Sequence, residues 1–263
     1  MRAESIKDAE MSSLPLHRLN EFLSLEGADD DAFRRLATER RRFTRHNVIR
    51  AHGDPATEIF LLVEGWVACC VHSANGGEQI VKVHLPGDIL GAPSLALSRA
   101  AESLVALTRA TIEVIPSDRL GELFVQAPRL SAAMFLSAQQ ERIWLMDRLM
   151  SIGRTNALQR LAGFLYSIHK RLVAIDPSSP AKFELPLSQR ELANVLGITT
   201  VHANRTLAQL EKTGLVSRSG RWIVIEDLPG LRRLSCLPDR EFQRMPRWLS
   251  AVTDSPVREQ APA

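Results

Sequence analysis

Apolar positions along this chain change their period several times, and each change marks a different kind of element. Across residues 16–42 they recur at helical spacing, with Leu19, Phe22 and Leu23 followed by Phe33 and Leu36. The ERRRF stretch at 39–43 is read as the solvated end of that helical region. From Val48 to Pro116 the pattern shortens. Residues 59–63 (IFLLV) form an apolar run closed by Glu64-Gly65, and residues 66–71 form a second. Ala74-Asn75-Gly76-Gly77 is a hairpin signal, and residues 79–85 then alternate Val81, Val83 and Leu85 with Lys82 and His84. Pro86-Gly87-Asp88 turns the chain before runs at 104–107 and 112–115. Short strands at regular spacing with glycine-rich turns predict an antiparallel sandwich or barrel.

Helical spacing returns with a turn at 119–124. Pro128 suits a helix start, and the pattern runs on from there to Gly153. Two seams compete on this long helix. One passes through Ala133, Leu136, Gln140, Ile143, Asp147 and Met150, the other through Met134, Ala138, Leu145, Leu149 and Ile152. The pattern supports them equally, as expected of a helix packed both on its own domain and on a partner helix. Residues 156–172 carry Leu158, Leu161, Leu165, Ile168 and Leu172, an amphipathic helix, and a Pro- and Ser-containing loop follows at 176–180.

The most informative stretch is 187–216, LSQRELANVLGITTVHANRTLAQLEKTGLV. Ser188 and Glu191 form a capping box at the start of a short helix with Leu192, Val195 and Leu196 on its apolar face. Gly197 ends that helix and Thr199 caps the next, which buries Ala203, Leu207 and Leu210. Thr200, His202, Asn204, Arg205 and Gln209 are left facing outward. Two short helices joined by a glycine turn are the helix-turn-helix pattern. Residues 216–218 and 222–225 around Ser219-Gly220 read as a strand pair of the kind that forms a wing, and Asp227 opens a last helical turn. Past Leu234 the chain is rich in Arg and Pro and is read as a surface tail.

Composition adds little until it is split. Of 263 residues, 45% are hydrophobic and 24% charged, and no apolar run approaches the ~20 residues of a membrane span. The start, MRAESIKDAEMSS, has acids and no apolar core, so a secretory signal is not expected and a cytoplasmic protein is. Cys69, Cys70 and Cys236 make no disulfide framework. The net charge of +3 is uneven. Between Gly153 and Ser235 twelve Lys and Arg face six Asp and Glu, leaving the remainder at −3. A basic C-terminal third fits a nucleic-acid module. No P-loop, GxSxG, HExxH or CxxC is present, so no enzyme is expected, and no cofactor.

With the wing and the block Thr199-Thr200-Val201-His202-Ala203-Asn204-Arg205-Thr206-Leu207, the C-terminal third resembles the winged-helix domain of the Crp/Fnr superfamily of bacterial transcription regulators. The glycines at 53, 65 and 87 fall where that superfamily's cyclic-nucleotide-binding β-roll turns, so the likeness covers about residues 16–235. It implies an α+β chain: a leader at 1–15, a jelly-roll-like β-roll sensor at 16–124, a dimerisation helix at 125–152, a winged helix-turn-helix domain at 153–235 and a tail at 236–263. It further implies a homodimer, seamed around Leu136, Ile143, Leu145 and Met150, on a palindromic site in double-stranded DNA, with RNA polymerase as a further partner. The implied base contacts fall on Val201, His202, Asn204 and Arg205, and backbone contacts on Gln189, Thr199, Thr200 and the wing's Arg221.

The same resemblance carries a departure. Cyclic-AMP-binding members meet the ribose with a Gly-Glu pair and the phosphate with an arginine about ten residues on. Here those positions are Gly91, Ala92 and Glu102, beside Ser103. A carboxylate facing a phosphate reverses the main interaction, so cyclic AMP is not expected as effector and the effector stays unassigned. Iron–sulfur members hold their cluster through several N-terminal cysteines, and none precedes Cys69. Cys69, Cys70, His72 and His84 leave a haem- or metal-sensing alternative, in which the winged helix serves protein interaction.

Overall fold

The computed structural model describes residues 4–6, 14–178 and 181–249; the outer parts of the expected leader and tail lie outside the described residues. In chain order the first half holds β1 (Glu4–Ile6), α1 (His17–Asn20), α2 (Gly27–Leu36), β2 (Glu39–Phe43), β3 (Val48–Arg50), β4 (Glu58–Glu64), β5 (Val67–His72), β6 (Glu78–His84), β7 (Ile89–Leu90), β8 (Ser103–Ala106) and β9 (Ala110–Pro116). Then come α3 (Leu120–Gln126), α4 (Pro128–Arg154), α5 (Ala157–Ile175), β10 (Lys182–Glu184), α6 (Gln189–Leu196), α7 (Thr200–Lys212), β11 (Val216–Ser219), β12 (Trp222–Ile225) and α8 (Leu228–Ser235).

Two antiparallel sheets, β1-β2-β9-β4-β7 and β3-β8-β5-β6, face each other as the expected β-roll. Phe60, Leu62, Val67, Cys69, Leu104, Ile112 and Val114 fill the space between them. Neither sheet is left with a wet outer face over its centre. Ile59, Leu61 and Ile115 turn outward into a core shared with α1, α2, α3 and the start of α4. On the opposite side Ala68, Cys70, Ile80 and Val83 join the core of the C-terminal third, against α5 and α6. Burial on both faces is why residues 59–63 read as an unbroken apolar run rather than an alternation.

Three expectations are corrected. ERRRF is β2, a strand paired with β9, not a helix end. Two of its three arginines are paired in place: Arg40 bonds Glu113 at 2.8 Å, and Arg41 bridges Glu39 and Glu58. The leader contributes β1, which pairs along β2 and covers its otherwise open edge. The tail up to residue 249 is not loose surface. It runs back over α4 to α1, with Arg240 on Asp147, Phe242 edge-on to Phe22 and Leu249 fully buried.

The C-terminal third forms as the pattern predicts, apart from β10, a short polar strand that completes a β10-β12-β11 sheet. It sits on the β-roll through polar contacts as well as apolar ones. Arg45 donates to Pro186 O at 3.1 Å, Asn194 donates to Glu78 at 3.2 Å, and Glu191 lies 3.4 Å from His46. Beneath them Asp88, in the β6–β7 turn, collects Arg171 of α5 at 2.5 Å, His84 at 3.2 Å and Arg18 at 3.3 Å.

Candidate nucleic-acid interface and effector pocket

The α6–α7 pair is set by its caps. Ser188 N–H donates to Glu191 at 2.6 Å while Ser188 Oγ accepts from Glu191 N, the reciprocal capping box. Gly197 adopts φ 67°, a left-handed turn that a side chain would strain, and Thr199 Oγ1 accepts from His202 N at 3.3 Å. Ala203, Leu207 and Leu210 are buried, as is Thr206. Each such leucine contributes roughly 1.5–3 kcal/mol by leaving water, which holds the helix with one face outward. On that face Val201 is 71% exposed, and His202 and Arg205 are exposed beside it. Arg205 has no carboxylate partner among the described residues. Other expected contacts are partly engaged: Asn204 donates to Gln189 at 2.8 Å, Thr200 is half-buried, and Thr199 spends its hydroxyl as a cap. Arg221 is exposed in the tight wing turn between β11 and β12.

Around Gly91 the β-roll has been filled from within. Gly91 takes φ 82° and opens a 3-10 turn at Ala92–Ser94. Arg50, the last residue of β3, reaches across to bond Glu102 and donates to Glu58 O at 2.9 Å. Glu102 also accepts from Ser94 Oγ at 2.5 Å. Both ionic side chains are about 5% exposed. A Cβ on Gly91 would come within 2.9 Å of the guanidinium. Ser103 Oγ accepts from His52 N and meets His72 Nε2, both at 2.9 Å. Of the expected pocket residues, Gly91 and Glu102 therefore converge, but on Arg50.

The two seams of α4 divide for most of their length, although Met134 of the second packs on the α1–α3 core. Ala133 is buried, Leu136 packs on the α1–α3 core, Gln140 bonds Arg18 and Glu21, and Asp147 holds Arg240. Ile143 of the same seam lines a hollow between α4 and α5. Phe135, Leu145, Leu149 and Ile152 are 43–73% exposed and, with Ala138 and Arg142, follow a spacing of three and four.

Residues 159–234 match the model of the Crp-like helix-turn-helix domain, and residues 40–127 that of the cyclic nucleotide-binding domain. The chain belongs to the Crp/Fnr superfamily. The family is one of bacterial transcription regulators, not enzymes. Among its relatives is the anaerobic regulatory protein of Haemophilus influenzae, 29% identical over 191 residues, which are 73% of this chain and 74% of that one. The fumarate and nitrate reduction regulatory protein of Escherichia coli is 27% identical over 183 residues, 70% and 73% of the two chains. FixK2 from Bradyrhizobium japonicum shares the fold, with a TM-score of 0.69 at 24% identity over 77% of this chain and 99% of its own.

This Crp/Fnr chain carries a cyclic-nucleotide-type domain whose residues do not fit a cyclic nucleotide. A phosphate there would have to displace Glu102 from Arg50, in a volume the Arg50 guanidinium already occupies. Metal-type sensing is also unsupported by geometry. Cys69 faces the β-roll interior and Cys70 the opposite side, while His72 and His84 are taken by Ser103 and Asp88. Burial pushes both thiols up to about 12. Among the described residues no three His, Cys, Asp or Glu converge as ligands, and no helix is long and apolar enough to cross a membrane. Sequence reasoning missed Arg50, which carries no motif. A buried acid at Glu102 was itself the signal that a buried base had to face it.

Proposed function

We propose that this regulator binds a palindromic DNA site as a homodimer, reading bases through α7 and taking no cyclic AMP. The observation that carries the reading is Arg205, an exposed and unpaired guanidinium on the outward face of a helix whose other face is locked into the core. Such a group is free to donate to guanine O6 and N7 in the major groove. Val201 and His202 lie on the same side one turn or less away. Valine at that position packs against a thymine methyl and accepts nothing, so a TTG-like core is expected in each arm. Arg221 on the wing, with Gln189 and Thr200, contributes backbone contacts that add affinity without sequence information.

Two such helices must reach successive major grooves about 34 Å apart, and the exposed seam of α4 supplies the second copy. Regulation of a promoter then proceeds through contact with RNA polymerase, as for a DNA-bound cytoplasmic regulator. Selection of bound sequences from random duplex DNA tests the reading. Enrichment of a two-fold symmetric site with a conserved guanine per arm supports it, and enrichment of no site overturns it.

A further inference from the structure

With the β-roll pocket filled by its own ion pair, a separate hollow lies between α4, α5 and the returning segment at 237–242. It measures about 340 Å³, within the range of roughly 300–1,000 Å³ typical of small-molecule sites. Its walls are mainly apolar, from Ile143, Trp144, Phe164 and Leu196.

Its charges are unequal. The carboxylates that reach it are each already held. Glu141 is on Lys82 at 2.8 Å, Asp147 on Arg240 at 2.5 Å, Glu21 on Arg18 at 2.8 Å, and Asp239 on Arg232. Arg148 and Arg160, both lining it, have no carboxylate partner among the described residues. Arg148 is held by Nη2, which donates to Ile80 O at 3.2 Å and to Val195 O. Arg160 donates Nη1 to Thr155 O at 2.9 Å, and its buried Nε has no partner. Burial, then the neighbouring Arg160 charge, lowers the Arg148 pKa. Two fixed guanidiniums that repel one another beside an aromatic wall are the arrangement that an anion relieves.

We propose that this hollow is a binding site for an organic anion with an apolar, aromatic-sized body, its charged head between Arg148 and Arg160 and its body against Trp144 and Phe164. The lining described here comes from a single protomer, with Ile152 of the exposed α4 seam also reaching it. Its walls join the helix that leaves the sensor domain to the first helix of the DNA-binding domain.

The test uses full-length protein and two dyes with one carbon skeleton: 8-anilinonaphthalene-1-sulfonate, which is anionic, and N-phenyl-1-naphthylamine, which is uncharged. The sulfonate is expected to saturate at one per protomer and to bind at least tenfold more tightly than the neutral dye. Arg160→Gln is expected to weaken the sulfonate at least tenfold and leave the neutral dye unchanged. Ser167→Phe, which fills the hollow from α5 without altering charge, is expected to abolish both, with unchanged circular dichroism and sedimentation. Equal binding of the two dyes overturns the anion assignment. No saturable binding, or binding that survives both substitutions in folded protein, overturns the site. No DNA enters the measurement, so its outcome is independent of the operator reading.

Discussion

Arg50 and Glu102 form an ion pair inside the β-roll, both about 5% exposed, against Gly91. Removing one member leaves the other charged and buried, which costs about 3–5 kcal/mol in comparable cases. Glu102→Gln and Arg50→Met are each expected to lower chemical-denaturation stability by that order, and Arg50→Met with Glu102→Leu by much less. Calorimetric titration of the wild type with cyclic AMP is expected to show no micromolar binding. Ala92→Glu with Glu102→Arg is not expected to create it, because two guanidiniums would then share the cleft. Micromolar binding by either protein contradicts the filled-pocket reading.

The parts of this molecule that were legible in the sequence are those fixed by local chemistry. The Ser188–Glu191 box, Gly197 and Thr199 define the α6–α7 turn without help from the rest of the chain. Residues 39–43 were not legible, since three successive arginines look solvated until Glu113 and Glu58 arrive from β9 and β4. Neither was the difference between the two seams of α4, because both are apolar and only the packing of Leu136 and Ala133 on the β-roll side tells them apart. The Asp88 cluster draws on four separate segments, and no spacing along the chain announces it.

That cluster makes stability depend on pH. Burial, with Lys82 beside it, lowers the pKa of His84, and burial likewise lowers those of His17 and His169. A histidine whose folded pKa lies below its unfolded value takes up a proton on unfolding. Its stabilisation is complete above pH ~6.5 and is lost as pH falls below that. Asp88 acts in the same direction lower down: burial alone would raise its pKa, but Arg171, Lys82, His84 and Arg18 hold it well below the ordinary carboxylate value. Urea unfolding between pH 8 and 5 is expected to show stability falling below about 6.5. His84→Gln, which keeps a donor toward Asp88, is expected to flatten that fall by up to about 1.4 kcal/mol per pH unit. An unchanged slope in the variant would remove His84 from the account.

Thiol reactivity follows the same burial. With Cys69 and Cys70 buried and their thiols pushed up to about 12, the reactive thiolate is scarce at neutral pH. Iodoacetamide is expected to label native protein once per chain, at exposed Cys236, and three times after denaturation. Rapid native labelling at Cys70, read by mass spectrometry, would show that the contact between β-roll and winged domain opens readily.

In the proposed homodimer the exposed seam of α4 is the interface and the inner seam serves the fold. Leu145→Asp or Leu149→Asp places a charge on the exposed seam and is expected to give folded monomers by sedimentation velocity. Ile143→Asp places the charge at the inner hollow, so it is expected to reduce stability while leaving the dimer intact. Monomers from Ile143→Asp alone would reassign the interface to the inner seam, and a wild type that sediments as a monomer both free and on DNA would end the dimer proposal.

Arg205 and Arg221 are both exposed cations of the winged domain, and they are expected to fail differently. Arg205 projects from α7 beside Val201 and His202, where a bidentate contact to guanine distinguishes one base pair from the other three. Arg205→Ala is expected to cost about 1–3 kcal/mol per half-site and to relax preference at the guanine. Arg221 sits in the wing turn, and its proposed contact is to phosphate, which every sequence presents. Arg221→Ala is expected to weaken matched and unmatched DNA alike and to reduce the slope of affinity against salt by about one counterion. The folded core gives neither side chain a structural duty, since Arg205 has no ion-pair partner among the described residues and Arg221 contributes only its backbone carbonyl to Leu185. Fluorescence anisotropy on matched and guanine-substituted duplexes at several salt concentrations separates the two roles. If Arg205→Ala loses affinity equally for both duplexes, Arg205 is a phosphate contact and base reading falls to its neighbours on α7.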